Sequence, residues 1–146
     1  MLESGSDDVR RIEVVGAVIV RDGLVLCTRR GPGDLEGSWE FPGGKREPDE
    51  SATDALVREI REELGCLVTV GERVLTTEHE YEAFAVALTT FYCTLAEGEP
   101  TLSEHTEAAW LPPERLAELD WAPADLSAVA EVRRLLTGAG VAGTAS

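Results

Sequence analysis

Residues 58–65 read REIREELG, which sets Glu59, Glu62 and Glu63 within about one helical turn. Glu59 and Glu63 stand four apart, a spacing at which like charges repel by about 0.2–0.5 kcal/mol. Asp54–Arg58 and Arg58–Glu62 have the spacing of ordinary surface pairs, so one reading of this stretch is a solvated helix face. At about 100° per residue, however, Asp54, Arg58 and Arg61 are expected on the opposite flank, which leaves the glutamate edge purely acidic. A divalent cation would turn that repulsion into chelation, because its charge reverses the local balance.

The helix that carries these carboxylates is expected from Ser51 to Leu64. Ser51 with Asp54 resembles a capping box, and Gly65 suits the left-handed position past the last turn. Thr53, Leu56, Val57, Ile60 and Leu64 gather on one side as the stripe that docks on a core. Upstream, residues 11–20 and 24–30 read as two β-strands joined by Asp22-Gly23, a tight hairpin turn. Residues 31–50 hold five glycines and three prolines and read as a long irregular connection, ordered by Trp39 and Phe41. After the helix come the strand-like runs CLVTV, RVLTTEHEY and FAVALTTFYCTL, an EGEP turn and a run ending at Trp110. LPPERLAEL and PADLSAVAEVRRLL read as two helices, each opened by proline. Irregular alternation of strands and helices predicts an α/β (α+β) layered domain with a mixed sheet. The expected organisation is a flexible N-terminus (1–10), a single domain (11–137) and a flexible tail (138–146).

With 146 residues, 43% of them apolar, the chain suits one domain with its own core. A net charge of −15, from 28 acidic and 13 basic residues, disfavours a nucleic-acid partner, which calls for a basic face. A small polyanion bridged by cations fits that acidity. Cys27, Cys66 and Cys93 are odd in number and widely spaced, which indicates free thiols rather than a disulfide framework or zinc site. No signal peptide or membrane-spanning run is evident, so a cytoplasmic protein without membrane association is expected. Monomer and homodimer both remain open.

Gly44, five residues, Glu50, seven residues and then Arg58-Glu59-Ile60-Arg61-Glu62-Glu63-Leu64-Gly65-Cys66 match the Nudix box at every fixed position. Cys66 stands where an aliphatic residue is usual, and cysteine packs as a small hydrophobe. The chain therefore resembles a Nudix hydrolase over residues 12–136. GSWEFPGGK, EGEP and WAPAD are most similar to the MutT-like branch, which includes hydrolases of oxidised guanine nucleotides and of cytidine nucleotides. The resemblance implies an α/β/α sandwich around a mixed sheet, with the box as loop, helix and loop.

It also implies the chemistry. MutT-like members convert a nucleoside triphosphate to monophosphate and pyrophosphate with Mg²⁺, Mn²⁺ being a substitute. By resemblance Glu59, Glu62 and Glu63 bind metal, joined by the carbonyl of Gly43 or Gly44. Arg58 orients the glutamates and ties down the loop, and Glu50 is structural. Glu104 supplies a further ligand or the base that deprotonates water, with His105 and Glu107 as rivals. Arg30 and Lys45 are candidate phosphate contacts, with Arg29 pointing the other way along the strand. Asp125 is the candidate base reader, since a carboxylate accepts from cytosine N4 or guanine N1 and N2. It also stands where a helix start favours an acid. Trp39, Phe84 and Tyr81 are candidate stacking partners, or core aromatics. Two alternatives to triphosphate hydrolysis stay open. One is hydrolysis of another nucleoside diphosphate derivative (ADP-ribose, NADH, a dinucleoside polyphosphate), the other a non-catalytic nucleotide sensor.

Overall fold

The computed structural model describes residues 10–103 and 105–145, with residues 137–145 described by their backbone alone. A Val- and Ile-rich run forms β1 (Arg10–Arg21), which turns through Asp22 and Gly23 into β2 (Leu24–Arg30). Asp22 (φ 55°) and Gly23 (φ 78°) both take left-handed backbone, as the hairpin turn requires. The connection that follows is more regular than its glycines and prolines suggest. It contains β3 (Trp39–Glu40), paired with β2, and β4 (Gly43–Lys45), paired with β1. Then come α1 (Ala52–Leu64), β5 (Leu67–Glu80), β6 (Phe84–Glu97), β7 (His105–Leu111) and α2 (Leu126–Ala145).

The sheet runs β3-β2-β1-β6-β5, with β4 also on β1 and β7 also on β2. β1 and β6 are parallel and the other pairs antiparallel, which makes it the mixed sheet expected. CLVTV and RVLTTEHEY merge into one strand, β5, whose register shifts between Val70 and Leu75. Successive residues of β1 point to opposite faces and so feed two cores. Val15, Ala17 and Ile19 pack with Leu56, Ile60 and Leu64 of α1, while Val18 packs with Trp39, Phe41, Trp121 and Val129 and Val132 of α2. The two clusters give the α/β/α layering. Cys27, Cys66 and Cys93 are free and buried, and burial pushes the Cys27 and Cys93 thiols up to about 12.

Two local expectations need correction. LPPERLAEL forms only the 3-10 helix Pro113–Glu118, because paired prolines remove donors and six residues are too few to sustain an α-helix. Thr53 is exposed, and Ala55 takes its place in the buried stripe. Residues 1–9 lie outside the described residues. No described helix is long and apolar enough to cross a membrane.

Candidate active site

The ends of α1 are fixed by its caps. Ser51 Oγ accepts from Asp54 N at 3.1 Å, and Gly65 (φ 67°) donates its N–H to Arg61 O at 3.0 Å. Its rotation is fixed by Leu56, Ile60 and Leu64, all fully buried and each contributing about 1.5–3 kcal/mol. That rotation turns two glutamates toward β4. Glu63 Oε1 accepts from Gly43 N at 3.3 Å. The Glu59 carboxylate lies against Gly44 so closely that a Cβ there would overlap its oxygens. At Gly43 a Cβ would strike the Val15 carbonyl oxygen, so both glycines are dictated by close approach. The Glu62 side chain is 59% exposed.

Arg58 is not confined to the opposite flank, and the acidic edge is not free of cations. Its guanidinium meets Glu59 Oε2 at 3.0 Å and Glu62 Oε1 at 3.3 Å. A long side chain covers more arc than its Cα direction suggests. The same group forks onto Glu50 at 2.6 and 2.8 Å and donates to Lys45 O at 3.1 Å, which ties α1 to the glycine loop. Hydrogen bonds from Arg58 and from the Glu47 N–H pull the Glu50 carboxyl down to about 2.

Gly43 and Gly44 also line a cavity of about 440 Å³, whose lining does not include Glu59 or Glu63. One wall is the sheet, through Ile12 and Val14 of β1 and Phe84, Val86 and Leu88 of β6. Tyr81 and Phe84 stack with centroids 5.1 Å apart and both line it. Phe41, Ala122, Ala124 and Asp125 line it too, and the segment before them is held by Trp39 N donating to Asp120 O and Ala122 N donating to Trp39 O, both at 2.9 Å. Arg30 and Lys45 line the cavity, whereas Arg29 points away to Gly37 O and Glu107. Trp39 is absent from the lining. It packs beside Trp121 and Leu116 in the core, the alternative that the sequence left open for it.

Asp125 is 6% exposed and accepts from Phe41 N at 3.1 Å. Burial pushes its carboxyl up to about 7, with the Phe41 N–H opposing and the Glu40 charge reinforcing the rise. Asp125 thus ties the segment before α2 to the loop while facing the cavity.

Glu40, not singled out from the sequence, lines the cavity and bonds to Arg30 Nη1 at 3.0 Å and His105 Nε2 at 2.9 Å. The signal was present in the WEFPGG stretch but hidden, because a two-residue strand is too short to show alternation. His105 is buried on Glu40, and Glu107 is paired with Arg29 at 3.2 Å. Glu104 lies outside the described residues.

Among the described residues no three His, Cys, Asp or Glu side chains converge into a ready-made cage for a metal ion. The donor set is nevertheless that of a hard cation. Glu59 and Glu63 bring carboxylate oxygens to the same glycine pair, where the absence of side chains leaves backbone within reach. A Mg²⁺-sized ion takes only one or two protein carboxylates and fills its other positions with phosphate and water, so these residues fit one.

Comparison with known proteins agrees with this geometry. Residues 14–131 match the family described as NUDIX domain. The CTP pyrophosphohydrolase of Escherichia coli K12 is 43% identical over 119 residues, 81% of this chain and 88% of that protein. The 8-oxo-dGTP diphosphatase of the same strain is 30% identical over 122 residues, 83% and 95% of the two chains. Among solved structures, the DNA mismatch repair protein MutT (family Nudix hydrolase) from methicillin-resistant Staphylococcus aureus 252 shares 49% identity. Its TM-score is 0.72, over 86% of this chain and 97% of that one. With the box, the layering and these likenesses all in agreement, the chain belongs to the Nudix family.

Proposed function

We propose that this Nudix hydrolase cleaves a nucleoside triphosphate to the monophosphate and pyrophosphate, with Mg²⁺, or Mn²⁺ in its place, and with a cytosine or guanine-type base in the cavity. The observation that carries the proposal is continuity: Gly43 and Gly44 line the base-sized cavity and also touch the Glu59 and Glu63 carboxylates. A nucleotide seated there would extend its phosphates over the glycine pair to the glutamates. The names of the relatives, CTP pyrophosphohydrolase and 8-oxo-dGTP diphosphatase, support the same substrate class.

Nudix hydrolases generally need a divalent metal ion. Glu59, Glu62 and Glu63, with Glu104 and the carbonyl of Gly43 or Gly44, would hold it here. When bound, Mg²⁺ supplies positive charge against the phosphate oxygens. The chain's own residues do the rest. Arg58 restrains Glu59 and Glu62 and anchors the Gly44–Lys45 loop through Lys45 O. Arg30 and Lys45 face the cavity as phosphate contacts. The Tyr81 and Phe84 rings form a stacking wall, and Asp125 and Glu40 offer acceptors to amino or imino donors. Uracil and thymine lack an exocyclic amine and gain less from them. Glu104 is the candidate for a further metal ligand or for the base that takes the attacking water's proton, ahead of His105 and Glu107.

The test is a panel of CTP, dCTP, 8-oxo-dGTP, UTP and ADP-ribose with Mg²⁺. Turnover of a cytidine or guanine-type triphosphate well above UTP is expected. Turnover of ADP-ribose alone, or of nothing, counts against the proposal.

A further inference from the structure

His105 forms a second buried polar arrangement at the cavity, one that triphosphate hydrolysis as described above leaves unused. The register of β2 against β7 shifts between Arg29 and Arg30, pairing Arg29 with Glu107 but Arg30 with His105. Such a bulge re-aims side chains and brings these two to one side of the ladder. Both meet Glu40 of β3: Arg30 Nη1 on Oε1 at 3.0 Å and His105 Nε2 on Oε2 at 2.9 Å. Each carboxylate oxygen therefore has its own charged or N–H partner. The His105 side chain is only 4% exposed, and its Nδ1 is buried with no partner among the described residues. Among the described residues a proton on Nδ1 would find no acceptor, which favours the Nε2–H tautomer that donates to Glu40.

Arg30 is fixed from its other side as well. Its Nε donates to Asp34 O at 2.8 Å, and its backbone closes the loop through Arg30 N to Ser38 O and Gly37 N to Arg30 O. With Nε and one Nη1 hydrogen committed, the second Nη1 hydrogen and the two on Nη2 are left for a ligand in the cavity that Arg30 lines.

We propose that His105 is a positioning residue for substrate binding: its Nε2–H holds the Glu40 carboxylate, and through Glu40 it holds the Arg30 guanidinium in the orientation that meets the nucleotide. This rests on the nucleotide reading of the cavity. It gives the histidine beside Glu104 a part in affinity rather than in proton transfer. Without the His105 bond the Glu40 carboxylate would turn, leaving the Arg30 guanidinium held by Asp34 O alone and free to rotate about that bond.

The test compares His105→Leu, which fills the buried site but cannot donate, with His105→Gln, whose amide N–H stands near the position of Nε2. His105→Leu is expected to raise KM for the preferred triphosphate about tenfold while kcat changes less than threefold, the loss of one charge-assisted hydrogen bond. His105→Gln should recover most of that loss. An unchanged KM in His105→Leu, equal loss in both variants, or a fall in kcat at unchanged KM each overturns the proposal. A second readout stands apart from turnover. Ring ¹⁵N shifts of His105 in the full chain should report the Nε2–H tautomer and move on Glu40→Gln. If the wild-type protein turns over no triphosphate, the nucleotide reading fails, and the ring shifts still decide whether His105 holds Glu40. An Nδ1–H tautomer, or shifts indifferent to Glu40→Gln, overturns that contact.

Discussion

The Glu59 carboxylate lies directly against Gly44, leaving no room for a Cβ on that residue. One contact therefore couples the position of a metal-binding candidate to the smallest residue of the loop. Gly44→Ala must push Glu59 aside or open β4 from β1. A fall in kcat of about 100-fold is expected, on the scale that a misplacement near 1 Å produces. Circular dichroism and melting should show a folded protein. Wild-type kcat in the alanine variant would contradict the coupling.

Glu50 carries a pH dependence of stability. Its folded value, about 2, lies below the ordinary 4.5, so its contribution is full above 4.5 and is lost as pH falls through about 2. Glu50→Gln should flatten that part of the acid limb in urea unfolding. It should also lower activity, because Arg58 loses its forked partner and the loop its anchor. An acid limb identical to wild type would show that the Arg58 fork contributes nothing.

Asp125 works in the opposite sense. Its folded value of about 7 stands above the ordinary 3.8, so its contribution is present below 3.8 and is lost as pH rises through about 7. Asp125→Asn cannot ionise and should remove this loss, making the melting temperature less dependent on pH between about 4 and 7. The same variant should change the ranking among bases more than the metal dependence. Equal losses on every substrate would make the residue a tie to Phe41 N and nothing more.

Chelation should separate function from fold. The two cores of the sandwich are built from apolar side chains, so EDTA is expected to abolish turnover while leaving the melting temperature within a few degrees. Restoration by Mg²⁺ and Mn²⁺ but not by Ca²⁺ would match a small octahedral site. Full activity in EDTA contradicts the metal assignment.

The helix and its caps were open to sequence reading because spacing alone defines them: Ser51, Leu56, Ile60, Leu64 and Gly65 all stand where periodicity and capping put them. The Asp22-Gly23 turn followed for the same local reason, and the mixed sheet from the irregular alternation of strands and helices. What the sequence concealed depended on long-range pairing or on reach. Arg58 was placed by its Cα direction, yet its length carries it to Glu59 and Glu62. Trp39 and Phe84 looked equivalent as aromatics. Pairing with the 120–122 segment sends Trp39 into the core, and sheet register leaves Phe84 at the cavity. Glu40 and His105 meet only through a bulge between distant strands, which no local pattern records.

The central claim is hydrolysis between the α- and β-phosphates at the glutamate helix. Its most direct test is to resolve the products of the preferred triphosphate by ion exchange, for wild type and Glu59→Gln side by side with Mg²⁺. Nucleoside monophosphate and pyrophosphate in equal amounts from wild type are expected, with a loss of at least about 100-fold in the variant. Nucleoside diphosphate and orthophosphate, or undiminished turnover in Glu59→Gln, would contradict it.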